Sequence, residues 1–262
     1  MDLGLGGKSA LVAASSTGLG RAVAVALGRE GARVTLGARS EENLRAAARE
    51  VEEAGGESNP VRCDLTDAAS IRALLGAAEK RFGGVDVLVT NSGGPPPGQL
   101  ADLSEDQWET AVESLLFSVI RLARGVLPHM KEKGWGRIIS LVSVSAKQPI
   151  ENLLLSNTIR PAVVGFAKSL SQEVAPHGIT VNCVAPGYTR TGRLDELAAA
   201  RAERTGAAVE EVFRGWESTI PVGRLGRPEE LADLVLFLAS ERAAYLTGLT
   251  VTFDGGSVRG LL

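Results

Sequence analysis

Short apolar runs alternate with longer segments of helical spacing along almost the whole of this 262-residue chain. We predict a strand at each short run: Ala10–Ala13, Arg33–Leu36, Val61–Cys63, Val85–Val89, Arg137–Val142, Thr180–Val184 and Thr250–Phe253. We predict helices in the main segments between them: Gly20–Glu30, Glu41–Ala54, Ala68–Arg81, Glu105–Lys131, Leu155–Glu173 and Pro228–Ala239. This alternation indicates βαβ units, and right-handed crossovers favour a doubly wound, mostly parallel sheet with helices on both faces. The sequence therefore predicts an α/β fold in a single domain, residues 1–262.

One segment, about 188–227, has a different texture and lies between the sixth and seventh predicted strands. It is polar and rich in Ala and Glu, and it contains two helical stretches, Leu194–Arg204 and Ala208–Trp216. An insertion at the carboxyl end of a strand commonly forms a lid over the ligand crevice. The alternatives are a surface excursion or a subunit contact. The position of the insertion favours the lid.

The formal net charge is −3, with both signs mixed along the chain. This pattern gives no basic face for nucleic acid or for an anionic membrane. The first residues, Met1–Leu5, lack the charged and apolar regions of a signal peptide, and no run approaches the ~18–20 apolar residues that span a bilayer. We expect a cytoplasmic protein that binds neither nucleic acid nor membrane.

The two cysteines, Cys63 and Cys183, both lie in apolar, strand-like runs. A disulfide or a shared metal is one interpretation, and two separate buried small residues are the other. The apolar surroundings favour the second interpretation. No group of His, Cys and Asp residues has the spacing of metal ligands, so we expect no metal site.

A glycine-containing loop follows the first strand and opens directly into a helix. A helix N-terminus offers unpaired N–H groups and the positive end of the helix dipole, which together attract phosphate. Glycines in the loop allow backbone and ligand to approach closely. This strand–turn–helix pattern predicts a dinucleotide site. Its candidate residues are Ser15, Ser16, Thr17, Gly18, Leu19 and Gly20.

The loop resembles the glycine motif of the short-chain dehydrogenase/reductase family, whose fold is of the Rossmann type. Residues 13–20 match the family's Thr-Gly-x-x-x-Gly-x-Gly, with Ala14 at the first glycine. The methyl group of Ala14 is harmless there if φ is negative and costly if φ is positive. The segments 91–94, 186–191 and 221–256 also match family motifs in the family's order. The resemblance thus spans nearly the whole chain, and it implies binding of a nicotinamide dinucleotide.

The family motifs imply further cofactor contacts. Asp64 matches the acidic residue that contacts the adenine, and Asn91 and Gly93 match the segment that steadies the central sheet and lines the cofactor. The turn that meets the nicotinamide amide corresponds to Pro186, Gly187, Thr189 and Thr191.

The end of the second strand bears on the choice of cofactor. Relatives that prefer NAD place an acid at the position of Ala38, where it accepts from the ribose 2′-hydroxyl. No carboxylate here repels a 2′-phosphate, and Arg39 can pair with it through two hydrogen bonds. The alternative is that Arg39 simply points into solvent. We expect NADP(H) rather than NAD(H).

The catalytic positions depart from the family pattern. Ser143 retains the substrate-orienting serine, but the tyrosine position is Ser156 and the lysine position is Arg160. Leu115 occupies the position of the asparagine that organises a proton-relay water. Serine is a much weaker acid on a shorter stem, and arginine stays protonated, so neither replaces the tyrosine as proton donor. Arg160 can still hold the nicotinamide ribose and stabilise developing negative charge.

Two residues are candidates for a substitute acid. Lys147 lies in the loop that lines the substrate pocket of relatives, where partial desolvation makes an ammonium a usable acid. Tyr188 follows the turn beside the nicotinamide. The alternatives are a solvated loop charge for Lys147 and a packing role for Tyr188. Tyr245, the second of the two tyrosines, is expected to pack near the C-terminal strand.

The sequence leaves two functions open. The first is an oxidoreductase that transfers a hydride between NADP(H) and a small carbonyl or alcohol substrate, with an altered acid/base set, in a framework resembling 3-oxoacyl-carrier-protein reductases. The second is a catalytically silent NADP(H)-binding sensor or partner subunit on the same scaffold, as Leu115, Ser156 and Arg160 together suggest. The resemblance also implies a homo-oligomer, a tetramer or a dimer.

Overall fold

The computed structural model describes residues 2–261, and within that range it contains a seven-stranded parallel sheet in the order β3-β2-β1-β4-β5-β6-β7. The prediction of a doubly wound parallel sheet is confirmed. The strands are β1 (Ser9–Ala13), β2 (Arg33–Ala38), β3 (Glu57–Arg62), β4 (Val87–Thr90), β5 (Gly136–Leu141), β6 (Ile179–Pro186) and β7 (Thr250–Phe253).

Helices cover both faces of this sheet, and a helical insertion precedes the last strand. Helices α1, α2 and α9 pack on one face, and α3, α5 and α6 pack on the other. The bounds are α1 (Gly18–Arg29), α2 (Glu41–Glu53), α3 (Ala68–Phe82), α4 (Glu105–Val112), α5 (Ser118–Lys133), α6 (Leu154–Val174), α7 (Gly192–Thr205), α8 (Val209–Thr219) and α9 (Pro228–Ala239). No helix in residues 2–261 is long and apolar enough to cross a membrane.

Alternate residues of the central strand belong to different cores. Ala10 and Val12 pack in the core beneath α1 and α9, whereas Leu11 and Ala13 pack in the core beneath α3 and α5. Successive side chains of a strand point to opposite faces, so a strand covered on both sides needs a continuous apolar run. This requirement explains why β1 was visible in the sequence as an uninterrupted hydrophobic segment.

The predicted helix Glu105–Lys131 is confirmed as one helical run, but it is not α-helical throughout. Helices α4 and α5 are joined by one π-helical turn, Glu113–Phe117, at the centre of which Leu115 is buried. Such a turn accommodates one extra residue and commonly lies at a functional site. Hydrophobic spacing does not reveal it, because the apolar pattern continues through the insertion.

Strands β1 and β4 lie side by side in the middle of the sheet, and the direction in which strands are added reverses there. Strands β2 and β3 lie beyond β1, and β5 to β7 lie beyond β4. In open α/β sheets the ligand crevice lies at the carboxyl ends of the strands on either side of such a reversal. The loops that follow β1, β4, β5 and β6 all meet at this edge, and they carry most of the predicted site residues.

Candidate active site

The loop between β1 and α1 leaves the start of α1 open to a ligand. Thr17 is the N-cap of α1, but its side chain accepts no hydrogen bond from the helix. The first N–H groups of α1 are therefore available to a phosphate. Ser15 is buried, and its hydroxyl has no partner within residues 2–261. Ser16 is half-buried in the same loop, and Leu19 packs against the core, so Leu19 contributes only backbone to the crevice.

Gly20 explains how the loops after β1 and β4 pack together. A Cβ atom at Gly20 would overlap the carbonyl oxygen of Ala14 and would lie 2.8 Å from Nδ2 of Asn91. Asn91 Nδ2 donates a hydrogen bond to that carbonyl oxygen, 3.2 Å away. Glycine is therefore required by protein packing at this position. Ala14 itself has φ +47°, so the alanine that stands in place of the family's glycine has a strained, left-handed backbone conformation.

The loop after β6 lies against the glycine loop. Gly18 has φ +56°, and a Cβ atom there would lie 3.6 Å from the methyl group of Thr191. Thr191 Oγ1 donates to the carbonyl oxygen of Thr189 at 3.4 Å, and Thr189 Oγ1 donates to that of Gly187 at 3.3 Å. Pro186 ends β6 immediately before this turn. On the opposite side, Gly93 has no atom within 4 Å of a built Cβ, so the space beside it is open.

Two further predicted cofactor residues lie at the carboxyl ends of β2 and β3. Arg39 is exposed directly after β2, and Ala38, the last residue of that strand, carries no carboxylate. Asp64 accepts hydrogen bonds from the backbone N–H and the hydroxyl of Thr66, at 2.9 Å and 2.8 Å. These bonds, and to a smaller extent the charge of Arg39, hold the pKa of Asp64 below its usual value. The exposed side chain of Arg39 is accessible to an anion.

The predicted catalytic positions are brought together in a hydrogen-bonded chain. Ser143 follows β5, and its Oγ accepts from the backbone N–H of Ser145 at 3.1 Å. The hydroxyl groups of Ser145 and Ser156 are 3.1 Å apart. Arg160 Nε donates to Ser156 Oγ at 2.9 Å, and its Nη1 donates to the carbonyl oxygen of Val142 at 2.8 Å. The guanidinium is therefore fixed between α6 and the end of β5.

The Arg160 side chain is buried, with a residue exposure of 9%. Burial and, to a lesser degree, the positive charge of Arg193 lower the pKa of Arg160 to about 10. The guanidinium thus remains a cation at neutral pH. It is a donor of hydrogen bonds and a source of positive charge, but it is no proton shuttle.

Leu115 closes the position where relatives keep a polar side chain. It packs with Ala111, Leu155 and Ile159 in a small hydrophobic cluster between α4, the π-helical turn and α6. An ordered water needs polar partners, which this cluster does not provide. A proton relay through residue 115 is therefore absent.

The two candidate substitute acids lie in different environments. Lys147 is exposed at the end of the short helical turn after β5. Tyr188 is half-buried and stacks on Trp216, with ring centroids 4.9 Å apart. Burial raises the pKa of Tyr188, which makes it a weaker acid than a free tyrosine. Tyr245 is fully exposed, so the expectation that it packs is wrong.

A cleft of about 300 Å³ lies between the 188–227 insertion and the loop after β5. Tyr188 and Trp216 form one wall, and the segment 148–153 forms the other. Asn157 holds that segment, because its side chain accepts from the N–H of Ile150 and donates to its carbonyl oxygen. Arg204 of α7 pairs with Glu151 across the cleft at 3.3 Å.

Sequence reasoning missed three residues of the site: Ser145, Arg193 and Trp216. Ser145 lies two residues from Ser143, and only the turn geometry brings its hydroxyl to Ser156. Arg193 follows the recognised turn by two residues, so its position next to that motif was an available signal. Trp216 was assigned only to the insertion, because no local pattern predicts its stacking on Tyr188.

Among residues 2–261 no group of His, Cys, Asp and Glu has the geometry of a metal site. Cys63 and Cys183 are both buried and unpaired, which confirms the expectation of two separate small core residues.

Comparison with known proteins gives matches over nearly the full length. The family model described as enoyl-(acyl carrier protein) reductase matches residues 13–258. The 3-oxoacyl-(acyl-carrier-protein) reductase of Escherichia coli (strain K12) is 37% identical over 250 residues, which cover 95% of this chain and 97% of the relative.

Two solved structures have nearly the same fold. L-sorbose reductase from Gluconobacter frateurii, complexed with NADPH and L-sorbose, has a TM-score of 0.95 at 33% identity and full coverage of both chains. A variant of actinorhodin polyketide ketoreductase, solved with NADPH, has a TM-score of 0.93 at 36% identity, with 97% and 98% of the two chains covered.

Proposed function

Because the chain belongs to the short-chain dehydrogenase/reductase family, we propose that it is an NADP(H)-dependent oxidoreductase acting on a small carbonyl or alcohol substrate. The observation that carries this proposal is the intact cofactor crevice. The loops after β1, β4 and β6 contact one another at Gly20, Asn91 and Thr191, and they surround the N-terminus of α1, which has no side-chain cap. NADPH in the two solved relatives supports the same cofactor here.

The residues of this chain fit that cofactor. The first turn of α1 and the unpartnered hydroxyl of Ser15 offer donors to the phosphates and the adjacent ribose. Arg39, exposed and without a carboxylate beside it, offers a charge-assisted pair to a 2′-phosphate. Gly93 borders open space, and the turn 186–191 faces the same crevice. When bound, the nicotinamide supplies or accepts the hydride.

The site as folded stabilises negative charge better than it delivers protons. Arg160 and the hydroxyl pair Ser145/Ser156 present N–H and O–H donors at the carboxyl end of β5. Preorganised donors of this kind are effective where an oxyanion develops. Proton delivery to the substrate oxygen then falls to Lys147, Tyr188 or water. Exposure leaves Lys147 without the desolvation on which its candidacy rests, and burial raises the pKa of Tyr188, so water is favoured.

The experiment is a fluorescence titration with NADPH and NADH, followed by turnover of 3-oxoacyl thioesters and small ketones monitored by nicotinamide absorbance. We expect NADPH to bind more tightly than NADH, and turnover above background. Lys147→Met and Tyr188→Phe are compared with the parent: loss of kcat in one alone identifies the acid, and loss in neither assigns the proton to water.

The second candidate is the redox-silent NADP(H)-binding protein, which Leu115 and Ser156 favour because the family's acid and relay are both missing. Tight NADPH binding without turnover of any substrate would support it. Failure to bind either cofactor would contradict both functions.

A homo-oligomer, a dimer or a tetramer, remains part of the proposal. Phe117, the last residue of the π-helical turn before α5, is 42% exposed, and its ring centroid lies 5.2 Å from the guanidinium carbon of Arg121. An exposed large aromatic side chain on this helix supports contact with a second copy. Sedimentation velocity of the parent and of Phe117→Ser tests it. We expect a shift towards monomer in the variant, and a monomeric parent would contradict the proposed oligomer.

The cytoplasmic location also stays a prediction.

A further inference from the structure

The Arg160 guanidinium is a buried charge without a counter-charge. No carboxylate in residues 2–261 pairs with it: its partners are the hydroxyl of Ser156 and the carbonyl oxygens of Val142 and Leu141, the latter at 3.4 Å. Neutral partners repay only part of the free energy that is lost when a cation leaves water. The remaining guanidinium nitrogen, Nη2, makes no hydrogen bond to any described residue. It is also not among the fully buried atoms that lack a partner, so it borders accessible space.

The hydroxyl and guanidinium groups of this site have more hydrogen-bond donors than the surrounding residues have acceptors for them. Ser156 Oγ accepts from Arg160, and one hydrogen joins the hydroxyl groups of Ser145 and Ser156. Whichever hydroxyl donates, the other keeps an O–H with no acceptor among the described residues. The site therefore offers one hydroxyl hydrogen and the Nη2 hydrogens of a cation, whereas it contains no carboxylate from residues 2–261. Such a set is complementary to an anionic oxygen.

A second guanidinium strengthens this preference. The charge that acts most on Arg160 is that of Arg193, which lowers the pKa of Arg160 instead of raising it. Arg193 is held in place, since its Nη2 donates to the carbonyl oxygen of Pro95 at 2.6 Å and its Nη1 pairs with Glu196 at 3.1 Å. The guanidinium of Arg193 lies against Gly94 in the loop after β4, where its positive charge acts on Arg160. An anion bound at Arg160 would be attracted by Arg193 as well.

Strand order argues against the cofactor phosphates as that anion. Arg160 lies at the end of β5, and the phosphate-binding loop follows β1, with β4 between the two strands. Neighbouring strands are about 4.8 Å apart, so the two positions are separated by roughly 10 Å across the sheet. An anion at Arg160 is therefore a different group from the phosphates that bind at that loop, and the remaining ligand of the proposed reaction is the substrate.

We propose that the substrate of this enzyme is a small carboxylic acid whose carboxylate binds to Arg160, with Arg193 as the second cation. The inference rests on the proposed oxidoreductase function and specifies its substrate class. The apolar and aromatic wall of the neighbouring cleft, with Tyr188, Trp216 and Ile150, takes the remainder of the molecule. Arg160 thereby changes from a holder of the nicotinamide ribose to a determinant of substrate specificity.

The test uses matched acids and amides on the full-length protein saturated with NADP⁺. Acetate, benzoate and benzoylformate are titrated beside acetamide, benzamide and benzoylformamide, with binding followed by calorimetry. We expect at least one acid to bind ~10- to 100-fold more tightly than its amide, the range of a charge-assisted hydrogen bond. Arg160→Met removes that difference and Arg193→Met reduces it, while Arg160→Lys, which keeps the charge, retains part of it.

Two controls separate the inference from the proposed function. The NADPH dissociation constant is measured for every variant, and Arg214→Met, at an exposed arginine on α8, is expected to match the parent. Equal binding of acids and amides, or no binding of any acid, overturns the inference even if neutral ketones are turned over. Weaker NADPH binding in Arg160→Met with acid binding unchanged assigns the anion to the cofactor phosphate and also overturns it.

One more variant guards against a different docking position. Arg201 lines the cleft on α7. If Arg201→Met abolishes the preference for acids and Arg160→Met does not, the carboxylate binds to the insertion and the assignment to Arg160 is wrong. Thermal melting of each variant verifies folding, and the charge-retaining Arg160→Lys keeps the test decisive if Arg160→Met does not fold.

Discussion

The Nε atom of Arg160 donates a hydrogen bond to the Oγ atom of Ser156, 2.9 Å away and one turn earlier on α6. The two positions at which this chain departs from the family's tyrosine and lysine are thus directly bonded to each other. The guanidinium occupies the space next to the short serine side chain, and the carbonyl oxygen of Val142 fixes it there. Changing one of the two residues alone therefore disturbs the other.

Restoring both residues should create a general acid. We expect Ser156→Tyr with Arg160→Lys to increase the turnover of neutral ketones by about 100-fold, because a positioned general acid contributes roughly 10²–10⁴-fold. The matched control, Ser156→Phe with Arg160→Lys, adds the same ring without the hydroxyl. Steady-state NADPH oxidation compares the variants. Equal rates in the two double variants would show that the hydroxyl does not act as the acid.

Arg39 should determine the preference for NADP(H). Replacement by alanine removes a charge-assisted pair with the 2′-phosphate, so we expect NADPH affinity to fall by about 10- to 100-fold while NADH affinity stays unchanged. Arg45→Ala, at another exposed arginine of the same region that pairs with Glu41, is the control. Fluorescence titration measures both cofactors. A parallel loss for NADH would indicate that Arg39 acts on the structure of the loop.

Asp86 should contribute strongly to stability. It is buried at the amino end of β4, where it accepts from Lys133 Nζ at 2.6 Å, the N–H of Ser9 at 3.0 Å and His129 Nε2 at 3.1 Å. Asp86→Asn breaks this charged cluster, and we expect the free energy of unfolding to fall by about 2–3 kcal/mol. Urea denaturation measures it, with the exposed Asp233→Asn as control.

The contribution of Asp86 should also depend on pH. Burial by itself raises the pKa of Asp86, but the hydrogen bonds from Lys133, Ser9 and His129 outweigh it and leave the pKa below its ordinary value. The unfolded chain then binds the proton more readily, so stability rises with pH in this window. The advantage of the parent over Asp86→Asn should be complete above the unfolded pKa of about 3.9 and should decline as pH falls through the lower folded value. A difference in the free energy of unfolding between the parent and Asp86→Asn that does not change between pH 2 and 5 would contradict this prediction.

Ala14 should be a strained position that glycine relieves. Its φ of +47° lies in the left-handed region, which costs an L-residue roughly 1–2 kcal/mol, and glycine loses part of this gain through its more flexible unfolded state. We expect Ala14→Gly to raise the free energy of unfolding by about 0.5–1 kcal/mol with little change in NADPH affinity. Ala13→Gly, in the preceding strand position, should destabilise instead. Denaturation curves decide, and a less stable Ala14→Gly would contradict the assignment of strain.

The accuracy of the sequence-based prediction varied with how apolar each segment is. The strand Thr250–Phe253 and the helix Pro228–Ala239 were predicted to the residue. Strand β3 begins at Glu57, four residues before the predicted start at Val61. The prediction missed these residues because the first three are polar and Pro60 follows them. β3 is an edge strand, where polar residues and proline are tolerated. Apolar patterning detects only what the core requires.

The site was predictable in part for a similar reason. Gly20 could be proposed from the glycine loop and Asn91 from its resemblance to a family motif, because both residues lie in contiguous motifs. Ser145 and Arg193 were missed, since their roles depend on which side chains lie across the crevice from them. Tyr245 was misplaced because the sequence does not tell whether an aromatic side chain has a partner to pack on.

The sequence by itself determined the sheet, the helices on its two faces and the glycine loop, because these follow from local periodicity and from backbone conformations that few residues adopt. Only the tertiary structure decided what replaced the family's acid. The buried guanidinium of Arg160 and the hydroxyl groups of Ser145 and Ser156 form one hydrogen-bonded donor site. The strength of that site depends on distances, on burial and on the lack, among the described residues, of a carboxylate paired with Arg160, and none of these is a property of any single segment of the chain.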